Sequence, residues 1–175
     1  PCSLWFEEAQ KRGLYKKIDI SKGETMNDIN EELLAQIKDT NKANRSENRA
    51  EILELVRRAT VEANKNYAAA LQNNTTPEFV DGMFGATQNL MLEQTDVPRP
   101  QANQILRDAC VKGPLVRLQA PIQHPRTGVK KQLFTYFDLN AASDELRDLL
   151  LKAISDQVSS DDTNRQMKAR LNIPD

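Results

Sequence analysis

The side chains between Arg99 and Arg107 are of types that form paired hydrogen bonds with the edges of nucleic-acid bases. The amides of Asn and Gln match adenine, and the guanidinium of Arg matches guanine. The segment supplies both groups in Arg99, Gln101, Asn103, Gln104 and Arg107. An ordinary solvated helix face is the alternative interpretation, because polar residues are common there. Asp108 counts against a phosphate-facing surface unless its carboxylate points away.

A basic segment lies further along the chain, on either side of Gly128. On an extended arm, such side chains can contact the sugar-phosphate backbone or the adjacent minor groove. The candidates are Arg117, His124, Arg126, Lys130 and Lys131. The alternative is a solvated hairpin tip whose charge maintains solubility and protects a sheet edge. Because the polar segment between Arg99 and Arg107 lies nearby, nucleic-acid binding is the favoured interpretation for the basic segment as well.

Charge is distributed unevenly, although the formal net charge of the chain is only −1. Residues 98–137 hold seven basic residues and one acidic residue, which gives +6. Residues 1–97 carry −4 and residues 138–175 carry −3. A distribution of this kind is typical of a phosphate-facing patch on an otherwise acidic protein.

The residue types needed for catalysis are scarce. The chain has one histidine, His124, and two widely separated cysteines, Cys2 and Cys110. These indicate no base–nucleophile pair, no disulfide framework and no His/Cys metal site. The glycine spacing matches neither the phosphate loop nor the dinucleotide-binding fingerprint. We therefore predict no enzyme activity, no metal and no cofactor.

A helix over residues 100–112 must position the first group of polar side chains. Its apolar residues follow the spacing i, i+3, i+4, i+7, i+8, which places them on one stripe. They are Ala102, Ile105, Leu106, Ala109 and Cys110. Pro100 suits the first turn, and Gly113 with Pro114 ends the helix. Cys110 is thus predicted to be a core residue rather than a nucleophile.

Short elements are predicted on both sides of this helix. Residues 86–94 form a short helix with Leu90 and Met91 inward, and residues 95–98 form a tight turn. Two strands, at residues 115–120 and 132–139, flank an arm at residues 121–131.

This order of short helix, turn, helix, strand, basic arm and strand resembles the winged helix-turn-helix family. Residues 97–102, VPRPQA, are similar to the V-S-R-P-T-A sequence that opens the recognition helix in many bacterial members, and residues 105–118 are similar to the exit into the wing. The similarity covers about fifty residues, under a third of the chain. It departs at Pro98, where the family has Ser or Thr, so a hydroxyl cap worth roughly 1 kcal/mol is absent. The resemblance implies a DNA-binding core at about residues 77–139.

The first half of the chain is predicted to add helices to this core. A helix at residues 3–12 and an extended segment at residues 14–20 precede a helix that Thr25 caps and that ends near Asp39. That helix has four inward residues, Ile29, Leu33, Leu34 and Ile37. The polar residues 40–44 indicate a boundary between an N-terminal helical extension, residues 1–44, and a second domain, residues 45–175.

The second domain is predicted to begin with a long helix that Ser46 caps and that ends near Gln72. Thr76 and Pro77 then start the first helix of the winged core, with four inward residues, Phe79, Val80, Met83 and Phe84. After the wing, Ser143 opens one C-terminal helix, and Asp161 with Asp162 caps another.

Two apolar stripes are candidates for a homodimer seam. The long helix carries Ile52, Val56, Ala59, Ala63, Tyr67 and Ala70. The helix after Ser143 carries Leu146, Leu149, Leu150 and Ile154. Each stripe either packs inside the protomer or faces a partner, since an apolar stripe does not name what it packs against.

The sequence predicts a mainly α fold with a small β-hairpin, built as an N-terminal helical extension plus a winged helix-turn-helix. We expect a cytoplasmic, dimeric protein that binds double-stranded DNA sequence-specifically, as a transcriptional regulator or as a replication or partition factor of a plasmid or phage. The absence of a run of eighteen apolar residues argues against a membrane span. A protein-interaction module on a winged-helix scaffold is the first alternative. A non-catalytic fragment of a larger enzyme is the second, because the chain begins with Pro1.

Overall fold

The computed structural model describes residues 26–175, with side chains from residue 28 onward. Five helices lie in this range: α1 (Met26–Gln72), α2 (Gln88–Gln94), α3 (Arg99–Val111), α4 (Asp144–Asp156) and α5 (Asp162–Arg170). The strands are β1 (Ala86–Thr87), β2 (Leu115–Gln123) and β3 (Lys130–Asp138). The prediction of a mainly helical fold with a small β-hairpin is confirmed for β2 and β3, whereas β1 is a third strand in residues that were predicted to be helical. The elements predicted at residues 3–12 and 14–20, and the cap at Thr25, lie outside the described residues.

The sheet is antiparallel, in the order β1-β3-β2. Leu115 lies opposite Asp138, and Gln123 lies opposite Lys130, so both long strands extend further into the arm than predicted. The outer edge of β2 is partly covered by the Gln157 side chain. Its Oε1 accepts the Gln119 N–H at 3.2 Å and its Nε2 donates to the Gln119 carbonyl at 2.7 Å. This pairing protects an edge that is otherwise open to another strand.

The chain divides into two compact units, Pro1–Glu47 and Asn48–Asp175, and the division falls within α1. Because α1 is continuous through residues 40–44, the predicted helix end near Asp39 and the predicted cap at Ser46 are both wrong. Residues 26–72 contain no Gly or Pro, so nothing in this stretch breaks the helix. Leu34, predicted to face inward, is 56% exposed.

The second half of α1 forms one side of the core of the unit Asn48–Asp175. The buried members of its stripe are Ile52, Val56, Ala59, Ala63 and Ala70. Two polar side chains on the same half bind the turn after β3. Thr60 Oγ1 accepts the Asp138 N–H at 2.9 Å, and Asn64 binds both the Ala141 carbonyl and the Ser143 N–H at 2.8 Å. The stripe on this half of α1 therefore packs inside the protomer core.

Both candidate stripes are mostly buried within the unit Asn48–Asp175. Val56 and Ala63 are fully buried in the core cluster, and so are Leu146, Leu150 and Ile154 of α4. Of the two alternatives, packing inside the protomer is the one that these buried residues fit, and a homodimer stays a prediction without an assigned seam.

Residues 77–85 form no helix where the first helix of the winged core was predicted; Val80 makes an isolated β-bridge, and a turn follows at residues 81–83. Gly82 and Gly85 have φ angles of +83° and +92°, which a helix does not accept. A Cβ at Gly85 would lie 2.1 Å from Thr135 Oγ1, so this position also needs glycine for close approach. Phe84 is buried as predicted, whereas Met83 is 49% exposed.

The C-terminal caps follow the sequence. Ser143 Oγ accepts the Leu146 N–H at 3.2 Å, and Asp161 accepts the Asn164 N–H at 2.9 Å, so Ser143 and Asp161 are confirmed as caps of α4 and α5. None of the helices in the described part of the chain is long and apolar enough to cross a lipid bilayer.

Candidate nucleic-acid interface

Helix α3 buries the predicted stripe and leaves the polar side outward. All five apolar residues of the stripe are buried, at 8% exposure or less, which confirms Cys110 as a core residue. Burial raises the pKa of the Cys110 thiol to about 12, so no thiolate forms near neutral pH. Among the candidate contacts, Arg99, Gln104 and Arg107 are exposed, and Gln101 and Asn103 are half-buried.

The start of α3 has no side-chain cap. Pro98 occupies the cap position, and among the described residues no side-chain cap accepts a hydrogen bond from the first turn. Thr95 acts elsewhere, since its hydroxyl donates to the Met91 carbonyl at 2.6 Å and thereby closes α2. The free N–H groups of the first turn of α3 thus face solvent or an incoming anion.

The end of α3 is held by Arg170 of α5. Its guanidinium donates to the carbonyl oxygens of Ala109 at 3.1 Å, Cys110 at 2.5 Å and Leu115 at 2.9 Å, and also to that of Gly113. The carbonyls at the C-terminus of a helix lack partners within the helix, and a planar guanidinium can bind several of them at once. Sequence reasoning missed this residue because sixty positions separate it from the end of α3.

Two of the candidate amides on α3 already have partners. Gln101 Oε1 accepts a hydrogen bond from Asn48 Nδ2 of α1 at 3.0 Å. Gln104 Nε2 donates to Asp108 Oδ1 at 2.9 Å, which engages the carboxylate that counted against a phosphate-facing surface. Both bonds fix side-chain rotamers on the outward face, and each leaves the amide with unused hydrogen-bonding groups.

The basic arm forms an ordered turn at residues 124–129. His124 N–H donates to the Val129 carbonyl at 2.9 Å, and the Gly128 N–H returns to the His124 carbonyl at 3.0 Å. The His124 ring completes the turn, because its Nδ1 accepts from the Arg126 and Thr127 N–H groups at 3.2 Å each.

The base of the arm is attached to the turn region before β1. Val80 pairs with Gln123 in parallel orientation, and Lys130 forms an ion pair with Glu78 at 3.7 Å. These contacts hold the base of the arm against residues 78–80.

Arg117 is the one candidate that the structure removes from the surface. It is 5% exposed, its Nε donates to Asn164 Oδ1 at 2.6 Å, and its Nη2 donates to Asp161 at 2.6 Å. Its guanidinium carbon also lies 4.1 Å from the centre of the Phe134 ring. The prediction of Arg117 as a DNA contact is therefore wrong, because the side chain is committed to attaching α5 to the sheet.

A groove joins the start of α3 to the arm, and we call it the arm groove. It has a volume of about 510 Å³ and is bounded by α2, by Arg99 and by both strands of the arm. Its apolar floor consists of Leu92, Ile122, Val129 and Leu133. Its charged and titratable groups are Asp81, Glu93, Arg99, His124 and Lys131.

The arm groove thus brings together three of the ten candidate residues, Arg99, His124 and Lys131. The others apart from Arg117 lie outside it, on the outward side of α3 or on the arm. Two carboxylates in the groove, Asp81 and Glu93, were missed. Asp81 has a local role, since it accepts the Thr87 N–H at 2.9 Å and the Thr87 hydroxyl at 2.6 Å. Within the described residues, no group of three His, Cys, Asp or Glu side chains is arranged to hold a metal ion.

Comparisons of the chain with protein-family models, with curated proteins and with solved structures find no match.

Proposed function

We propose that this chain is a winged helix-turn-helix protein that binds double-stranded DNA, with α3 as the recognition helix and residues 121–131 as the wing. The second half of α1 takes the place that residues 77–84 were expected to fill. From there the order is helix, strand, helix, helix, strand, arm and strand, with the sheet order β1-β3-β2. This order supports the proposal, as does the outward amide and guanidinium face of α3.

One observation carries the proposal: the start of α3 and the arm line the same groove, each with a cation that has no ion-pair partner among the described residues. These cations are Arg99 and Lys131. A phosphate placed between them would meet two positive charges and the uncapped first turn of α3. If the positive charges served only solubility, there would be no reason for one on α3 and one on the arm to line the same groove.

The structure reduces the number of cations available for phosphates. Of the seven basic residues between positions 98 and 137, Arg117 is buried and Lys130 is paired with Glu78. The remaining five are Arg99, Arg107, Lys112, Arg126 and Lys131, all exposed.

We place the protein in the cytoplasm, as a regulator or as a replication or partition factor.

A salt titration tests the proposal. Anisotropy of a labelled random-sequence duplex between 50 and 200 mM salt should give a log–log slope of about −3 to −4, since each phosphate contact contributes roughly 0.9. Arg99→Gln and Lys131→Gln should each reduce the magnitude of the slope by roughly 0.9, the contribution of one phosphate contact. Lys152→Gln, at an exposed position on α4, is the matched control and should leave it unchanged. A flat salt response, or no binding at low salt, would favour a protein-interaction module.

A further inference from the structure

The arm groove has the size and lining of a small-molecule site as well as of a phosphate contact. Its volume of about 510 Å³ lies within the range of roughly 300–1,000 Å³ that is usual for ligand pockets. Ile122 on its floor is 3% exposed, and Leu92 and Leu133 are half-buried. Val129, at the tip of the arm, is 53% exposed and extends the apolar surface outward. A phosphodiester bound at the cations would leave these apolar side chains without a contact.

In the arm groove, uncommitted cations and hydrogen-bond donors outnumber uncommitted carboxylates. Asp81 is committed, since both of its carboxylate oxygens accept from Thr87. Arg99 and Lys131 form no ion pair with any described residue. His124 Nδ1 accepts two backbone N–H groups, so the neutral ring carries its proton on Nε2 and is a further donor. Against these donors stands one uncommitted carboxylate, that of Glu93.

We propose that the arm groove binds a small organic anion, namely a carboxylate or sulfonate on an apolar, ring-sized body. The anionic group lies between Arg99 and Lys131, and the body covers Leu92, Ile122 and Leu133. Free phosphate satisfies only the first of these contacts, and a neutral ring satisfies only the second. Because the proposed DNA contact uses the same two cations, the anion and the duplex exclude each other. This last point rests on the proposed function, whereas the binding itself does not.

Two dyes that share one skeleton test the binding without DNA. The anion 8-anilino-1-naphthalenesulfonate and its uncharged analogue N-phenyl-1-naphthylamine are titrated against the full chain by fluorescence. The sulfonate should saturate at one site per chain. Arg99→Gln and Lys131→Gln should each weaken it by roughly fivefold, the upper range for an exposed charge pair, and should leave the uncharged dye unaffected.

Lys112→Gln is the matched control, because Lys112 is exposed, carries the same charge, and lies at the other end of α3, outside the groove. It should change neither dye. All three substituted side chains are exposed, and an unchanged thermal transition verifies that each variant is folded. The site is overturned if the sulfonate binds Arg99→Gln and Lys131→Gln as tightly as the unchanged chain, or if Lys112→Gln weakens it equally.

Displacement by an unlabelled duplex then tests the exclusion. The duplex should release the sulfonate in proportion to its own binding. A chain that binds the sulfonate as expected but no duplex contradicts the proposed function alone. A chain that binds the duplex but not the sulfonate contradicts the ligand site alone. Simultaneous binding of both overturns the exclusion.

Discussion

At the scale of single residues, the arginines in one basic stretch have opposite roles. Arg99 is exposed at the start of α3, whereas Arg117 is buried against Asp161 and Asn164. A charge count over residues 98–137 treats the two alike. The partners that separate them lie more than forty positions away, so only the fold decides which charges remain free. The sequence could therefore predict the sign of this region but not which of its charges are available.

The Arg117–Asp161 pair makes stability depend on pH in a defined direction. Partial burial alone would raise the pKa of Asp161, but the Asn164 N–H and the Arg117 guanidinium outweigh it and hold that pKa below its usual range. A carboxyl whose pKa is depressed by folding contributes its stability above the pKa of the unfolded chain, about 3.9. The contribution is lost as pH falls through the lower, folded value.

We predict that Asp161→Asn lowers the free energy of unfolding by about 2–3 kcal/mol at pH 7. This is at or below the lower end for breaking a buried pair, because the Asp161 side chain is half exposed. Urea denaturation should show a constant deficit above about pH 5 that shrinks below about pH 4. Asp162→Asn is the control, because its ion pair with Arg165 is exposed, and it should cost under about 0.5 kcal/mol. A deficit that grows as pH falls would contradict the assignment.

The two outward glutamines of α3 separate base recognition from charge. Because neither carries charge, Gln101→Ala and Gln104→Ala should leave salt-dependent binding to random duplex nearly intact. On a duplex selected for tight binding, each should erase roughly 1–3 kcal/mol of preference per lost contact. Competition assays with selected and random duplexes measure this. If neither change alters the preference, α3 does not recognise the base sequence of the duplex.

At the scale of elements, α3 and the end of α1 at Gln72 were predictable, whereas the continuity of α1 through residues 40–44 was not. The stripe of α3 is strictly periodic and bounded by Pro and Gly, and its five apolar residues are all buried. The polar residues 40–44 suggested a boundary, yet they are compatible with a helix and lie inside α1. Conversely, Thr76 and Pro77 suggested a helix start, but Gly82 and Gly85 take positive φ and prevent one. Polarity alone marks a surface, whereas glycine and proline mark a break.

The hold of Arg170 on the end of α3 should be measurable. Arg170→Met leaves the carbonyls of the last turn without their charged donor and should cost about 2–3 kcal/mol of unfolding free energy. Arg170→Lys should recover part of this, because an ammonium donates hydrogen bonds but lacks the planar fork. Arg165→Met, exposed on the same helix, should cost under about 0.5 kcal/mol. Equal losses for Arg165 and Arg170 in chemical denaturation would show that this contact does not hold α3.

At the scale of the whole molecule, every candidate contact and every strand of the described residues 26–175 lies in the unit Asn48–Asp175. Both stripes that suggested a dimer seam are also inside this unit, packed against its own sheet and helices. Folding and the proposed duplex binding of this unit should therefore not require residues 1–44.

We predict that a fragment of residues 45–175 folds cooperatively and binds duplex with the affinity and salt slope of the full chain. The three residues before Asn48 complete a helical turn, so that Asn48 can still bind Gln101. Its thermal midpoint should lie within about 4 °C of that of the full chain, the shift that roughly 1 kcal/mol produces in a domain of this size. Circular dichroism and duplex anisotropy measure both. A folded fragment that binds at least tenfold more weakly would place part of the interface in residues 1–44, and an unfolded one would show that the core extends into them.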